Sequence, residues 1–290
     1  MGFWGYIEKL YIYFTHRLNI VDILILEDMN RKEVMSMAVK HLDYSTIDFA
    51  KLTGSIEGVE ELDDLVEVAD ISGDDVEKML AVKNQVKDFK ILMMKYDCAL
   101  SEVRTKLDVL NKELSLRNNR NPFEAIKMRI KTPASIYKKL RSKGVDFAIE
   151  NINDHLSDIA GIRVICSFVD DIYMLAECLA NQDDITVLQR KDYIETPKKS
   201  GYRSLHLIIE VPIFLTQAKE YMKVEVQFRT IAMDFWASLE HKMKYKKNIV
   251  NQEVISDDLK FSADLINQLD LRMQQIREKI DASEDDVSNY

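Results

Sequence analysis

The sequence predicts a mixed α/β (α+β) fold: a small mixed β-sheet surrounded by helices, with long helices flanking it on both sides in the chain. Three observations predict this. Apolar residues recur at three- and four-residue steps from Leu92 to Leu114 and again through Leu259, Leu265, Leu269, Met273 and Ile276, which is helical spacing. Central segments alternate with period two, as in Leu205/Leu207/Ile209 and Val224/Val226/Phe228. Only 8 glycines and 4 prolines occur in 290 residues, so chain breakers are confined to a few turns.

Taken in order, residues 1–75 read as an amino-terminal extension of unassigned role. It closes on an acidic linker (Glu57, Glu60, Glu61, Asp63, Asp64, Glu67, Asp70, Asp74, Asp75). Residues 76–290 read as one domain with its flanking helices, its motifs concentrated in 123–247. A helix is predicted over 75–116, stopped by Asn118-Asn119-Arg120-Asn121-Pro122. A strand over 123–131 leads into Thr132-Pro133, a cap followed by proline in a first helical turn, and Gly144 stops that helix after Ser142. A helix over 147–153, a buried strand over 159–168, a helix over 170–179 and a strand over 185–188 follow. After a loop at 197–201 come strands over 203–211 and 223–229, a helix over 231–247 and an amphipathic tail over 257–280. In the 231–247 helix Phe235, Trp236 and Leu239 read as core, with Glu240, His241 and Lys244 expected to face the site.

The composition, 47% apolar and 31% charged, is that of an ordinary globular chain. The net charge of −9 argues against a general nucleic-acid coat while leaving room for a local basic pocket. Glu8, Lys9, His16, Arg17 and Asp22 interrupt the aromatic-rich start, so neither a membrane span nor a signal peptide is expected. Cys98, Cys166 and Cys178 match no metal or redox spacing. Cys166 reads as a buried thiol, and a reducing cytoplasm fits.

Five constellations carry candidate chemistry. Arg129 and Lys131 share a strand face, and Ser135 and Lys139 share a face of the helix that follows. Two cations, a hydroxyl, a lysine and a helix N-terminus can thus be aimed at one polyphosphate without a glycine-rich loop. Asp158, at the entry to a buried strand that carries Arg163, can hold Mg²⁺, which favours one or two carboxylates plus phosphate oxygens. Gly201-Tyr202-Arg203-Ser204-Leu205-His206 offers an aromatic face for a base and a histidine on the polar side of a strand. Glu225, Gln227 and Arg229 line one strand face. There Glu225 can bind Mg²⁺, take a proton from an attacking hydroxyl, or pair structurally with Arg229. Phe235-Trp236 with Glu240-His241 form the fifth.

The order and wording of these segments resemble the synthetase domain of RelA/SpoT-type enzymes, and the short chain resembles the small alarmone synthetases. The phrases that carry the likeness are Arg129-Ile-Lys131 with Ser135, Asp158-Ile-Ala-Gly161-Ile-Arg163, Gly201-Tyr202-Arg203-Ser204-Leu205-His206, Val224-Glu225-Val226-Gln227-Phe228-Arg229-Thr230, and Phe235-Trp236-Ala with Glu240-His241. The likeness spans residues of about 80 to 280 and leaves 1–75 aside.

It implies a nucleotidyltransferase-like sheet ringed by helices, and transfer of the β,γ-pyrophosphate of ATP to the 3′-oxygen of GDP or GTP, giving (p)ppGpp and AMP with Mg²⁺. By the same resemblance Arg129 and Arg163 would hold the adenine and Lys131, Ser135 and Lys139 the ATP phosphates. Asp158 would bind Mg²⁺, with Glu225 as second ligand or base. Tyr202 would stack on guanine, His206 would contact phosphate, and Arg203, Gln227 and Arg229 would complete the GDP/GTP side. Larger relatives add a His-Asp hydrolase site. The adjacent pair here, Asp154-His155, has the reverse order, so synthesis without hydrolysis is expected. A homo-oligomer, plausibly a homotetramer built through the terminal helices, is implied as well. The alternatives are a pyrophosphokinase acting on tRNA or adenosine nucleotides, and a non-catalytic nucleotide- or RNA-sensing module, so single-stranded RNA stays open as a partner.

Overall fold

The computed structural model describes residues 73–117, 120–244 and 252–288. The expected amino-terminal extension falls, up to residue 72, outside the described residues. The described residues divide into two compact units, one of 73–92 and 132–149, the other of 93–117, 120–131, 150–244 and 252–288.

Helix α1 (Gly73–Arg117) begins in the first unit and continues in the second. Its predicted stripe is buried at Leu92, Tyr96, Leu100, Val103 and Leu107. The first unit also contains α2 (Pro133–Ser142), formed for the reasons its sequence gives. The Thr132 hydroxyl accepts from the Ser135 amide at 3.4 Å, Pro133 fills the first turn, and Gly144 at φ 71° ends the helix. Ile136 and Leu140, four apart, are fully buried. Within this unit the Phe147 ring lies 5.9 Å from Phe89 and 6.0 Å from Tyr137.

The second unit is built on five strands: β1 (Phe123–Ile130), β2 (Ala160–Cys166), β3 (Thr186–Asp192), β4 (Leu205–Phe214) and β5 (Lys219–Thr230). Their order is β1-β2-β5-β4-β3, with β2 and β5 parallel and every other pair antiparallel. One face is apolar: Ile162, Val164, Val224, Val226 and Phe228 are at most 1% exposed. Burying a side chain such as Phe228 contributes roughly 1.5–3 kcal/mol. Helix α3 (Ile149–His155) precedes β2 and lies two residues later than the periodicity placed it. Helix α4 (Val169–Ala180) packs against β2, β4 and β5. Helix α5 (Ile231–Lys244) packs against β2, β5 and α6 (Gln252–Ser288).

Three expectations are corrected. Strand β4 runs past Val211 to Phe214, through Pro212. Strand β3 pairs with β4 no further along than Glu210, so beyond that point β4 is an edge, where a missing N–H costs little. Trp236 is buried, but Phe235 and Leu239 are 59% and 40% exposed. The covered side of α5 is the one bearing Met233, Asp234, Trp236 and Ala237. On α6 the buried positions are Leu259, Ala263 and Asp270, whereas Leu265, Leu269, Met273 and Ile276 are exposed. Small and polar side chains seat this helix because it lies close against a glycine loop and a threonine. Cys166 is buried as expected, and all three cysteines are free. No helix among the described residues is long and apolar enough to cross a membrane.

Candidate active site

Strand register assembles the site. Side chains of directly partnered residues point to the same face. Lys127, Arg163, Gln227 and His206 are successive partners across β1, β2, β5 and β4, and form one polar row. Arg129, Gly161 and Glu225 form the adjacent row. Gly161 carries no side chain, so the face is bare between the exposed Arg129 and Glu225.

Within the face, five side chains close a hydrogen-bonded ring. Arg229 Nη2 donates to Tyr202 Oη at 2.6 Å and to Gln227 Oε1 at 3.1 Å. Gln227 Nε2 donates to Glu225 Oε2 at 2.8 Å. His206 Nδ1 lies 3.1 Å from Glu225 Oε1, and His206 Nε2 lies 2.8 Å from Tyr202 Oη. A carboxylate can only accept, so His206 donates its Nδ1–H to Glu225.

Glu225 is therefore held at both oxygens. Burial pushes its carboxyl upward, as does the nearby Asp158 charge. The hydrogen bonds and charge of His206 and the Gln227 amide outweigh them and hold it below the ordinary carboxylate range. It is ionised at neutral pH.

A second hub was invisible in the sequence. Asp234, on the first turn of α5 and 7% exposed, accepts from Arg163 Nη1 at 2.9 Å and Arg229 Nη1 at 3.2 Å on Oδ1, and from Lys127 Nζ at 3.1 Å on Oδ2. Burial raises the Asp234 carboxyl, but Lys127, Arg163 and Arg229 pull it below its usual range. Burial and the neighbouring Arg229 lower the pKa of Arg163. The one available signal was a lone carboxylate in the first turn of an otherwise apolar helix start.

Two more residues escaped notice. The Lys198 ammonium sits 4.4 Å from the Tyr193 ring centroid and 4.7 Å from that of Tyr202, in cation–π geometry. Burial lowers its pKa. Tyr193 meets Tyr202 and His206 edge-on.

Elsewhere on the second unit, Lys131 Nζ binds Asp158 Oδ2 at 2.6 Å, and the Lys131 amide donates to Ile159 O. Arg203 turns to Gly201 O and to Asp264 of α6, both at 3.3 Å, away from the ring's hydrogen bonds. Arg229 is engaged with Asp234, Tyr202 and Gln227 rather than paired with Glu225, so the structural pairing considered for Glu225 is replaced by His206 and Gln227. Ser135 and Lys139 lie on α2, in the other unit, where Ser135 Oγ is 2.8 Å from Thr132 Oγ1. Of the fifth constellation, Glu240 is half-buried and His241 exposed on α5. The Lys244 side chain lies outside the described residues.

A two-carboxylate, oxygen-only donor set, Asp158 and Glu225, suits Mg²⁺ completed by phosphate oxygens. The electrostatic coupling of Glu225 to Asp158 fits that pairing. Among the described residues no group of three or more metal-ligating side chains forms a protein-only metal cage.

Comparison with known proteins identifies the family. The profile of the region found in RelA / SpoT proteins matches residues 128–250. The GTP pyrophosphokinase YwaC of Bacillus subtilis is 44% identical over 200 residues, covering 69% of this chain and 95% of YwaC. The GTP pyrophosphokinase YjbM of the same organism is 34% identical over 195 residues, covering 67% and 90%. Among solved structures, small alarmone synthetase 1 from Bacillus subtilis bound to its product pppGpp superposes with a TM-score of 0.62, at 34% identity over 67% of this chain and 98% of that one. The same synthetase bound to AMPCPP gives 0.57 at 32% identity, over 68% and 99%. The chain belongs to the RelA/SpoT family, among its small alarmone synthetases, the GTP pyrophosphokinases.

Proposed function

We propose that this chain transfers the β,γ-pyrophosphate of ATP to the 3′-oxygen of GDP or GTP, giving (p)ppGpp and AMP. The observation that carries the reading is an ionised Glu225, fixed at both oxygens, on a sheet face otherwise crowded with Arg129, Arg163, Arg229 and Lys127. Such a face suits two polyanionic nucleotides and one acceptor hydroxyl. Relatives bound to pppGpp and to AMPCPP support the choice of substrates.

The β1–β2 side takes the donor, with Arg129 and Arg163 on its adenine and Lys131 on its phosphates. The β4–β5 side takes the acceptor, where Tyr202, backed by Lys198 and Tyr193, stacks on the guanine and His206, Gln227 and Arg229 line its ribose and phosphates. Asp158 would hold Mg²⁺, with Glu225 as its second ligand or as the base, and the ion when bound would neutralise phosphate charge. In the reaction the 3′-oxygen bonds to the β-phosphorus, the α,β-bridging P–O bond breaks, AMP leaves, and Glu225 receives the hydroxyl proton. His206 Nδ1–H orients that carboxylate throughout. Arg203 belongs to the acceptor side by holding the Gly201–Tyr202 loop against α6.

We assign this chemistry to residues 76–290, as synthesis without hydrolysis. The exposed stripe Leu265, Leu269, Met273, Ile276 and Ile280 supports self-association through α6. A tetramer is the expected mass in light scattering.

The deciding assay mixes the protein with ATP, Mg²⁺ and GDP or GTP, and resolves products by ion exchange and mass spectrometry, with Glu225→Val as control. Pyrophosphorylated guanosine plus AMP, absent in the control, is expected. Intact ATP with both acceptors, and labelled tRNA gaining pyrophosphate instead, would move the acceptor to RNA.

A further inference from the structure

We infer that Asp234 is a positioning residue that couples the two nucleotide half-sites, by holding the donor-side Arg163 and the acceptor-side Arg229 on a single carboxylate oxygen. The inference rests on the half-site assignment proposed above. Both arginines reach Asp234 Oδ1 through Nη1, and Lys127 takes Oδ2. The carboxylate is 7% exposed, so these are charge-assisted hydrogen bonds shielded from water.

Arg229 is close enough to disfavour the charge on Arg163. Without an anion between them, like-charge repulsion would drive them apart. The Nε atoms of both arginines are buried and take no hydrogen-bond partner, so their placement depends on the terminal nitrogens, which Asp234 engages. The arrangement continues on the acceptor side. The Arg229 guanidinium that binds Asp234 also donates to Tyr202 and Gln227, both in the ring around Glu225. A ligand that orders Arg163 therefore orders Arg229, and with it the ring, through one shared atom. Asp234 stands at the amino-terminal turn of α5, where the helix dipole favours its charge.

Coupling of this kind is reciprocal and measurable. The experiment is calorimetric titration of the full chain with a non-hydrolysable ATP analogue and with GDP, each alone and each in the presence of the other, alongside steady-state kinetics. In the unaltered chain each nucleotide is expected to tighten the other several-fold. Asp234→Asn keeps the shape and removes the charge. It is expected to bring that factor to about one and to raise both KM values roughly tenfold, while the Tm falls and circular dichroism stays near that of the unaltered chain.

Should the Asn variant fail to fold, Asp234→Glu retains the charge but displaces both arginines, and the same loss of coupling is expected. The inference is overturned by an unaltered chain without mutual tightening, or by variants that keep it, or by a rise in only one KM. A chain that binds both nucleotides with coupling yet forms no product would remove the pyrophosphokinase reading and leave the Asp234 assignment standing.

Discussion

The two sides of the polar sheet face are organised in opposite ways. On β4 and β5, five side chains satisfy one another in a closed ring, and the central carboxylate is fixed at both oxygens. On the β1 and β2 side, Arg129 is exposed, Lys127 and Arg163 share the Asp234 carboxylate, and Lys131, just past β1, pairs with Asp158. A ring resists rotation at every member because each bond is supported by two others, whereas a pair opens by exchanging a single partner. The side carrying the candidate base is thus preorganised. The side proposed for ATP leaves Arg129 exposed to an incoming ligand. Preorganisation is placed where charge develops during reaction, which is where it lowers a barrier most.

The largest effect expected from breaking this contrast is at Glu225. Glu225→Gln preserves the shape and an acceptor for His206, and should reduce kcat by roughly 10²–10⁴-fold while calorimetric nucleotide affinity changes little. A kcat within a few-fold of the unaltered chain would remove Glu225 as base. Next comes Tyr202→Ala, which deletes the stacking face and opens the ring. The guanosine-substrate KM should rise roughly 5- to 150-fold, about 1–3 kcal/mol, with the ATP KM much less affected, and equal changes in both would sink the side assignment. Lys131→Ala should weaken ATP binding roughly tenfold, an effect that grows as Mg²⁺ is titrated down because the half-buried Asp158 has lost its cation.

The smallest effect is on pH dependence. Glu225 and Asp234 have depressed carboxyls in the folded chain. Their contribution to stability is full above the ordinary carboxylate range and is lost as pH falls through their lowered values. Asp270 has the opposite sign, because burial raises it against the opposing Thr230 hydrogen bond, so it disfavours the folded state as pH rises past its ordinary value. Thermal unfolding between pH 3 and pH 7 should accordingly steepen in the acid limb. Asp270→Asn should raise the neutral-pH Tm slightly, and a fall there would contradict the assignment.

What the sequence showed and hid divides along sequence distance. Helix α2 was legible because Thr132, Pro133 and Gly144 act on their immediate neighbours. The shared face of Glu225, Gln227 and Arg229 was legible because strand alternation needs no partner. Asp234 was hidden because two of its three partners lie 71 and 107 residues away. Arg203 read as a nucleotide ligand from its motif, but it bonds to Asp264, 61 residues on. The exposed Phe235 and Leu239 were misread because helical periodicity says that a face is apolar, not which face a later helix will cover. Tyr193 and Lys198 were missed because a tyrosine and a lysine in loops carry no spacing signal of their own.

One close fit has a genetic consequence. A Cβ placed on Gly201 would come within 2.5 Å of Ala263 Cβ on α6, and Gly201 has φ +85°. Neither position has room for one methyl more than it holds, so the loop presenting Tyr202 and the carboxy-terminal helix can drift in evolution only as a pair. A selection for second-site suppressors of Gly201→Ala should therefore return Ala263→Gly. Recovery should be partial, because the suppressor restores the space but leaves an L-residue in a left-handed conformation.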